Sequence, residues 1–146
     1  MIQKETEEKS VFEEIPTQKI YSEKAIKIGT FFAGPLVAGY CMAENFKVFN
    51  DFEKAKKTWI ITLISAVLII ALVFLIPENV PSFIFPVIYL SITSYLVKTF
   101  QEKDIQTHIA NGGETFNGWR TTIVGLISVA VFLSVILAAG TIISLL

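Results

Sequence analysis

Long apolar runs separated by short charged segments are the dominant pattern along this chain. Residues 58–76 carry no charge, and as a helix rising 1.5 Å per residue they would extend about 28 Å. The hydrocarbon core of a bilayer is about 30 Å thick, so this run predicts a membrane-spanning helix. Residues 121–146 form a second uncharged run. It is longer than the core and predicts a tilted or protruding span.

Two weaker apolar runs predict two further spans. Residues 82–97 follow the first run after a short turn, which predicts an antiparallel pair of helices. Residues 26–43 contain Gly34 and Pro35, and both residue types weaken a helix in water. Because glycine and proline are more frequent in membrane helices than in soluble ones, this run is also interpreted as a span.

The segments between the predicted spans are charged and amphipathic. Residues 44–57 and 98–120 continue helical character beyond the apolar runs, and Asp51 is a candidate helix N-cap. We therefore predict an all-α fold, an integral membrane four-helix bundle of two helical hairpins with short extramembrane extensions on one face. Residues 1–24 are predicted to be a solvated charged tail, and residues 25–146 the four-span transmembrane domain.

The composition favours a membrane protein over a soluble one. Apolar residues make up 53% of the chain and charged residues 17%, against roughly 45–50% and about 25% in an average soluble domain. A soluble domain of this size buries only about two thirds of its chain surface and could not hide such long apolar runs. The net charge of -1 without a basic cluster argues against nucleic acid as a partner.

The basic residues predict an orientation, because lysine and arginine near membrane ends are retained in the cytoplasm. The two charged segments between spans carry Lys47, Lys54, Lys56, Lys57, Lys98, Lys103 and Arg120. The turn after residue 76 carries none. This bias favours cytoplasmic segments and both termini outside, in a bacterial inner (cytoplasmic) membrane. With four spans, the N-terminal tail and residues 98–120 would lie on opposite sides of the bilayer.

Two short patches of the chain resemble a known family. They are TFFAGPLVAGY from Thr30 to Tyr40 with Glu44-Asn45-Phe46 after it, and His108 with Gly112-Gly113 and Trp119-Arg120. Both resemble an uncharacterised family of small bacterial multi-pass membrane proteins with a GGPLA-like first span, in which Gly or Ser is expected at the position of Ala33. The resemblance implies a bacterial multi-pass membrane protein and implies no activity.

Two sets of residues are candidate sites. A packing or ligand site in and after the first span comprises Gly34, Pro35, Gly39 and Asn45. Pro35 cannot donate a backbone hydrogen bond, so a helix should kink or open there. An interface or lipid contact comprises Lys56, Lys57, His108, Trp119 and Arg120. Trp119 with Arg120 is typical of an interfacial anchor, and basic residues together could hold an anionic lipid head group.

Catalytic or metal chemistry finds little support in the sequence. His108 is the only histidine, and one imidazole with scattered carboxylates matches no metal-ligand spacing. Apart from Lys27 near one end, no predicted span contains Asp, Glu, Lys, Arg or His, whereas chemistry and ion coupling inside a membrane use such groups. We therefore predict no enzyme activity, no metal and no cofactor.

The remaining prediction is a non-catalytic multi-pass membrane component: a subunit, adaptor or immunity-type protein. It would act through contacts with the lipid bilayer and with a protein partner or a second copy of itself. Ala130, Ser134 and Ala138 recur at every fourth position and predict a buried helix contact. The alternative is a small oligomeric transporter or channel in which the broken first helix lines a path.

Overall fold

A computed structural model describes residues 16–146, so residues 1–15 of the predicted tail lie outside the described part of the chain. Its six helices are α1 (Glu23–Ala33), α2 (Pro35–Val48), α3 (Phe52–Leu75), α4 (Ile84–Phe100), α5 (Glu102–Ala110) and α6 (Gly118–Leu145). Apart from one isolated bridge between Ile20 and Thr115, no β structure occurs in these residues. The prediction of an all-α fold is confirmed.

Two of the helices, α3 and α6, are long and apolar enough to cross a membrane. Helix α4 is also apolar but has only 17 residues. The N-cap prediction is confirmed, because the Asp51 carboxylate accepts the Lys54 backbone N–H at 3.0 Å at the start of α3. Helix α3 ends just before Pro77, which has no backbone N–H to continue the helical hydrogen bonds.

Residues 26–43 do not form the one helix, kinked or opened at Pro35, that the sequence predicts. The chain forms two helices there, α1 and α2, which are separated at Gly34. The Asn45 side chain, near the end of α2, hydrogen-bonds both the backbone N–H and the carbonyl of Tyr21, just before α1, at 2.7 and 2.8 Å. In one continuous helix these two residues would be about 36 Å apart. Helices α1 and α2 therefore run antiparallel, as a closed α1–α2 hairpin.

Gly34 makes this reversal possible. Its φ of 83° and ψ of -174° fall in a region open essentially only to glycine. The Gly34 N–H closes α1 by donating to the Thr30 carbonyl at 2.8 Å. Pro35 then occupies the first turn of α2, where its missing N–H costs nothing and its fixed φ suits a helix start. The expected kink is thus a complete chain reversal.

Small residues let the α1–α2 hairpin pack closely. A Cβ added to Gly29 would lie 2.8 Å from Val37 of α2 and 2.9 Å from Thr121 of α6. A Cβ added to Gly39 would overlap the Thr62 side chain of α3. Such close backbone approach is how helices associate where the solvent offers no hydrophobic driving force.

The α1–α2 hairpin is the hub of the fold. Helix α3 packs on α2, α4 packs mainly on α1, and α6 packs on both. Helices α3, α4 and α6 make no extended contact with one another. Helix α2 is accordingly the most enclosed element, with Val37, Cys41 and Ala43 fully buried. Helices α3 and α4, predicted to be a tight antiparallel hairpin, are therefore not packed on each other, because α3 packs on α2 and α4 mainly on α1.

The charged segments gather at one end of the molecule, here called the charged face and comprising residues 16–22, 47–57 and 98–120. Lys19 pairs with Glu114 at 2.6 Å, and the Phe49 ring lies 6.3 Å from that of His108. Residues 47–57 and 98–120 thus lie together at one end of the molecule. The predicted separation of the tail from residues 98–120 is wrong for the described part of the tail, because Ile20 bonds Glu114 and Phe116 through its backbone.

The predicted contact stripe on α6 is also wrong within this chain. Ala130, Ser134 and Ala138 are all exposed. The face of α6 that packs on the hairpin is instead formed by Thr121, Gly125 and Ser128. The turn at Gly34 reaches only as far as Phe132, so most of the predicted stripe lies beyond the end of its packing partner.

Gly34→Ala is expected to destabilise the fold by about 1–3 kcal/mol, because alanine would be forced into a conformation reserved for glycine. Gly140→Ala in α6 is the matched control, since a methyl group there meets no atom within 4 Å. Thermal unfolding in detergent, followed by circular dichroism, measures both. Equal unfolding midpoints for the two variants would show that Gly34 does not hold the reversal.

Candidate functional site

A buried polar clasp closes the α1–α2 hairpin at the charged face. Asn45 is fully buried and bonds the Tyr21 backbone through both its amide oxygen and its amide nitrogen. The same nitrogen donates to Gln101 Oε1 at 3.3 Å, and Gln101 Nε2 donates to the Met42 carbonyl at 2.8 Å. A buried polar group is costly unless it is paired. These bonds therefore fix the end of α4 to the end of α2, and through Asn45 to Tyr21 at the start of the hairpin.

A row of aromatic rings extends the clasp from α6 to α3. The Phe116 ring lies 4.6 Å from that of Tyr21, Tyr21 lies 6.0 Å from Tyr40, and Tyr40 lies 6.3 Å from Trp59. These separations lie in the range in which aromatic pairs attract one another. The row ties α6, the start of α1, α2 and α3 together in one layer beneath the charged face.

Arg120 ends this row. Its Nε donates to the Tyr21 hydroxyl at 3.0 Å, and its guanidinium carbon lies 4.2 Å from the Phe116 ring centre. Burial raises the pKa of Tyr21 to about 12, although the hydrogen bond from Arg120 lowers it. Tyr21 therefore stays neutral at physiological pH, and its hydroxyl accepts the hydrogen bond from Arg120.

His108 lies inside the same end of the molecule. Its side chain is 6% exposed, packs beside Gly113, and places Nε2 3.3 Å from the Glu114 carbonyl. Lys19 lowers the pKa of the Glu114 carboxyl by pairing with it. Between residues 16 and 146, no group of three or more His, Cys, Asp and Glu side chains is arranged to hold a metal.

An apolar cleft lies between α3 and α4. It has a volume of about 650 Å³, within the range of roughly 300–1,000 Å³ that ligand pockets occupy. Helix α2 forms its inner wall from Pro35 to Phe46. The cleft exists because α2 keeps α3 and α4 apart. Lys54 and Lys57 stand at its charged-face end and are the only charged residues that line it in the described range 16–146.

The structure separates the predicted site residues. Of the packing set, Gly34, Pro35, Gly39 and Asn45 all belong to the hairpin, and Pro35 and Gly39 also line the cleft. Of the interface set, Lys57 lines the cleft, whereas its neighbour Lys56 does not. Trp119 is 70% exposed, whereas Arg120, although also exposed, is held by the Tyr21 hydroxyl. Lys56, Lys57 and Arg120 therefore do not form one basic pocket.

Sequence reasoning missed Tyr21 and Gln101, which complete the clasp. Both lie next to apolar runs in segments that look solvated, and they are 24 and 56 residues away from their shared partner Asn45. The sequence does indicate one half of the clasp. An asparagine among the apolar residues Met42, Ala43 and Phe46 is expected to be buried, and a buried amide needs hydrogen-bond partners.

No protein-family model matches the chain, and searches of curated proteins and of solved structures find no match either. The resemblance of residues 30–46 to a family of bacterial membrane proteins stays a prediction. The function proposed for this chain therefore rests on the geometry of the clasp and the cleft.

Asn45→Ala is expected to lower the free energy of unfolding by at least about 2 kcal/mol, because it leaves the Tyr21 N–H and carbonyl buried without partners. Asn45→Asp should also lose stability, since a buried carboxylate can accept the Tyr21 N–H but cannot donate to the Tyr21 carbonyl. Gln106→Ala is the control on an exposed amide whose one bond is a 3.4 Å contact. Chemical unfolding in detergent measures all three, and an Asn45→Ala protein as stable as Gln106→Ala would contradict the clasp.

Proposed function

We propose that this chain is a multi-pass membrane protein with three crossing helices and one re-entrant hairpin. Helices α3 and α6 are about 36 and 42 Å long, and α4 is about 25 Å long. Helix α1 is only about 16 Å long, half of the ~30 Å hydrocarbon core. Neither arm of the α1–α2 hairpin has to cross, because the hairpin enters from the charged face at Tyr21 and returns to it after Asn45.

The depth of the hairpin turn supports this arrangement. Gly39 faces Thr62 of α3. Helices α2 and α3 run in opposite directions, so the turn at Gly34, five residues before Gly39, falls near Val67. Val67 is the centre of the apolar run 58–76. On α6 the turn approaches Phe132, near the centre of that apolar run. Both helices thus put the turn close to the middle of the bilayer. Non-helical backbone at this depth is tolerated where protein encloses it.

The distribution of charge supports a cytoplasmic charged face. Every lysine and arginine between residues 16 and 146 lies on this face or within about two helical turns of it. The opposite end carries Glu78 as its only charged side chain in the described residues. Because basic residues are retained in the cytoplasm, the tail would lie inside and the end of α6 outside. This arrangement fits a bacterial inner membrane and removes the need to move a charged tail across it.

The activity that the geometry supports best is non-catalytic binding of an apolar partner in the cleft. The cleft between α3 and α4 is the single observation that carries this function, because its walls are apolar and both of its flanking helices are predicted spans. A cleft between spans opens sideways into lipid. A membrane component that acts through such lateral contacts needs no acid or base at membrane depth, and none lines this cleft.

The transporter or channel alternative is not favoured by these observations. A path through the broken helix would need polar surroundings at the turn. Pro35 instead lines the apolar cleft, and Phe32, two residues before Gly34, is 77% exposed on the apolar surface. The alternative stays a prediction without support from the hairpin.

Cysteine labelling tests the arrangement. In a Cys41→Ala background, the exposed residues Gln18, Glu78 and Gln106 are replaced singly by cysteine. An impermeant thiol reagent applied to whole cells should label only the Glu78 variant, and permeabilisation should expose the other two.

Each other labelling pattern has a distinct meaning. Labelling of Gln18→Cys together with Glu78→Cys, but not Gln106→Cys, would restore four spans and contradict the re-entrant hairpin. Labelling of Gln18→Cys and Gln106→Cys without Glu78→Cys would keep the hairpin and reverse the orientation. Identical labelling of all three would contradict a membrane crossing by α3 and α4.

A further inference from the structure

We infer that the cleft between α3 and α4 holds an anionic phospholipid of the cytoplasmic leaflet, with its acyl chains against α2 and its head group at Lys57 and Lys54. This inference rests on the proposed membrane arrangement, and it adds the chemical class of the occupant. The support comes from the depth of the cleft wall, the charge at the mouth of the cleft and the character of its lining.

The inner wall of the cleft matches one leaflet in length. The wall runs along α2 from Phe46 at the charged face to Pro35 at the hairpin turn, which is about 16 Å of helix. Half of a ~30 Å hydrocarbon core is about 15 Å. An acyl chain that starts at the charged face would therefore follow the wall and end where the hairpin ends.

The two lysines at the mouth supply charge complementarity. Lys54 pairs with Asp51 at 2.7 Å and lies 5.8 Å from the Phe46 ring of the cleft wall. Lys57 forms no ion pair with any side chain in residues 16–146, as judged by N–O distances up to 4.0 Å. None of the cleft-lining residues in the described part of the chain carries a carboxylate. Asp51 is the acid whose field reaches Lys57, and Asp51 is already paired with Lys54. A lysine outside any ion pair among residues 16–146, above an apolar wall at the proposed cytoplasmic surface, fits an anionic head group.

Other occupants fit this charge less well. A second copy of the chain in the same orientation would bring its own Lys54 and Lys57 to the same level of the membrane, and like charges there repel. An uncharged helix of another protein would fill the apolar wall but leave Lys57 without a partner. A zwitterionic lipid would supply chains of the same length without net charge. An anionic lipid fits both features, because its acyl chains match the apolar wall and its head group supplies negative charge beside Lys57.

Lipid binding by the purified full chain tests the head group. Native mass spectrometry from detergent measures retention of phosphatidylglycerol and of phosphatidylcholine with identical chains. We expect preferential retention of phosphatidylglycerol, and Lys57→Gln should weaken it about five-fold, the effect of losing one cation near an anionic lipid. Lys56→Gln is the matched control, because Lys56 is the adjacent lysine and does not line the cleft.

Filling the cleft tests the acyl chains. Ser65 lines the cleft, whereas Ser91 on α4 is exposed and does not. Ser65→Phe should reduce retention of both lipids several-fold, and Ser91→Phe should leave both unchanged. Ile88→Trp, at an exposed residue on the opposite wall, is a second filling variant if Ser65→Phe fails to fold. Circular dichroism and size exclusion confirm folding of each variant.

The outcomes separate this inference from the proposed arrangement. Equal retention of the two lipids, or equal losses for Lys57→Gln and Lys56→Gln, would overturn the head-group assignment. Unchanged retention in folded Ser65→Phe and Ile88→Trp proteins would overturn the cleft as the binding place. Failure of the membrane arrangement would appear in the cysteine labelling of residues 18, 78 and 106, which does not depend on bound lipid.

Discussion

The hydrogen bonds between Asn45 and the Tyr21 backbone are the interaction on which the rest of this structure depends. They join the two ends of the α1–α2 hairpin, and the three long helices pack on that hairpin rather than on one another. Opening the hairpin would therefore remove the packing partner of α3, α4 and α6 together. A fully buried amide that satisfies a backbone donor and acceptor is well suited to this role, because the alternative is two unpaired groups.

The same hub explains why the molecule has an open cleft. A hairpin whose arms are about 16 and 21 Å long reaches only part of the way along helices of up to about 42 Å. Because α2 holds α3 and α4 apart without filling the space between them, an apolar cleft remains along their length. In water this exposed surface would be unfavourable. In the proposed membrane arrangement this cleft is the proposed lipid site, and Lys54 and Lys57 lie at one end of it.

Features that depend on neighbouring residues could be predicted from the sequence. The apolar runs around α3 and α6, the stop before Pro77 and the cap at Asp51 follow from local hydropathy, a missing N–H and a short polar side chain. The candidate site was predicted in part, since Gly34, Pro35, Gly39 and Asn45 were recognised as one group. Their arrangement was not, because a weak helix with glycine and proline is compatible with a kink, a break or a reversal.

The sequence by itself determined that the chain is helical, rich in apolar helices and charged in the segments that join them, because these properties are sums over local residues. Only the tertiary structure decided that α1 and α2 fold back on each other, which puts the tail beside residues 98–120. It also decided that Lys57 reaches the cleft whereas Arg120 turns to Tyr21. The physical reason is that the φ of Gly34 and the partners of Asn45 are settled by contacts between residues far apart in the chain.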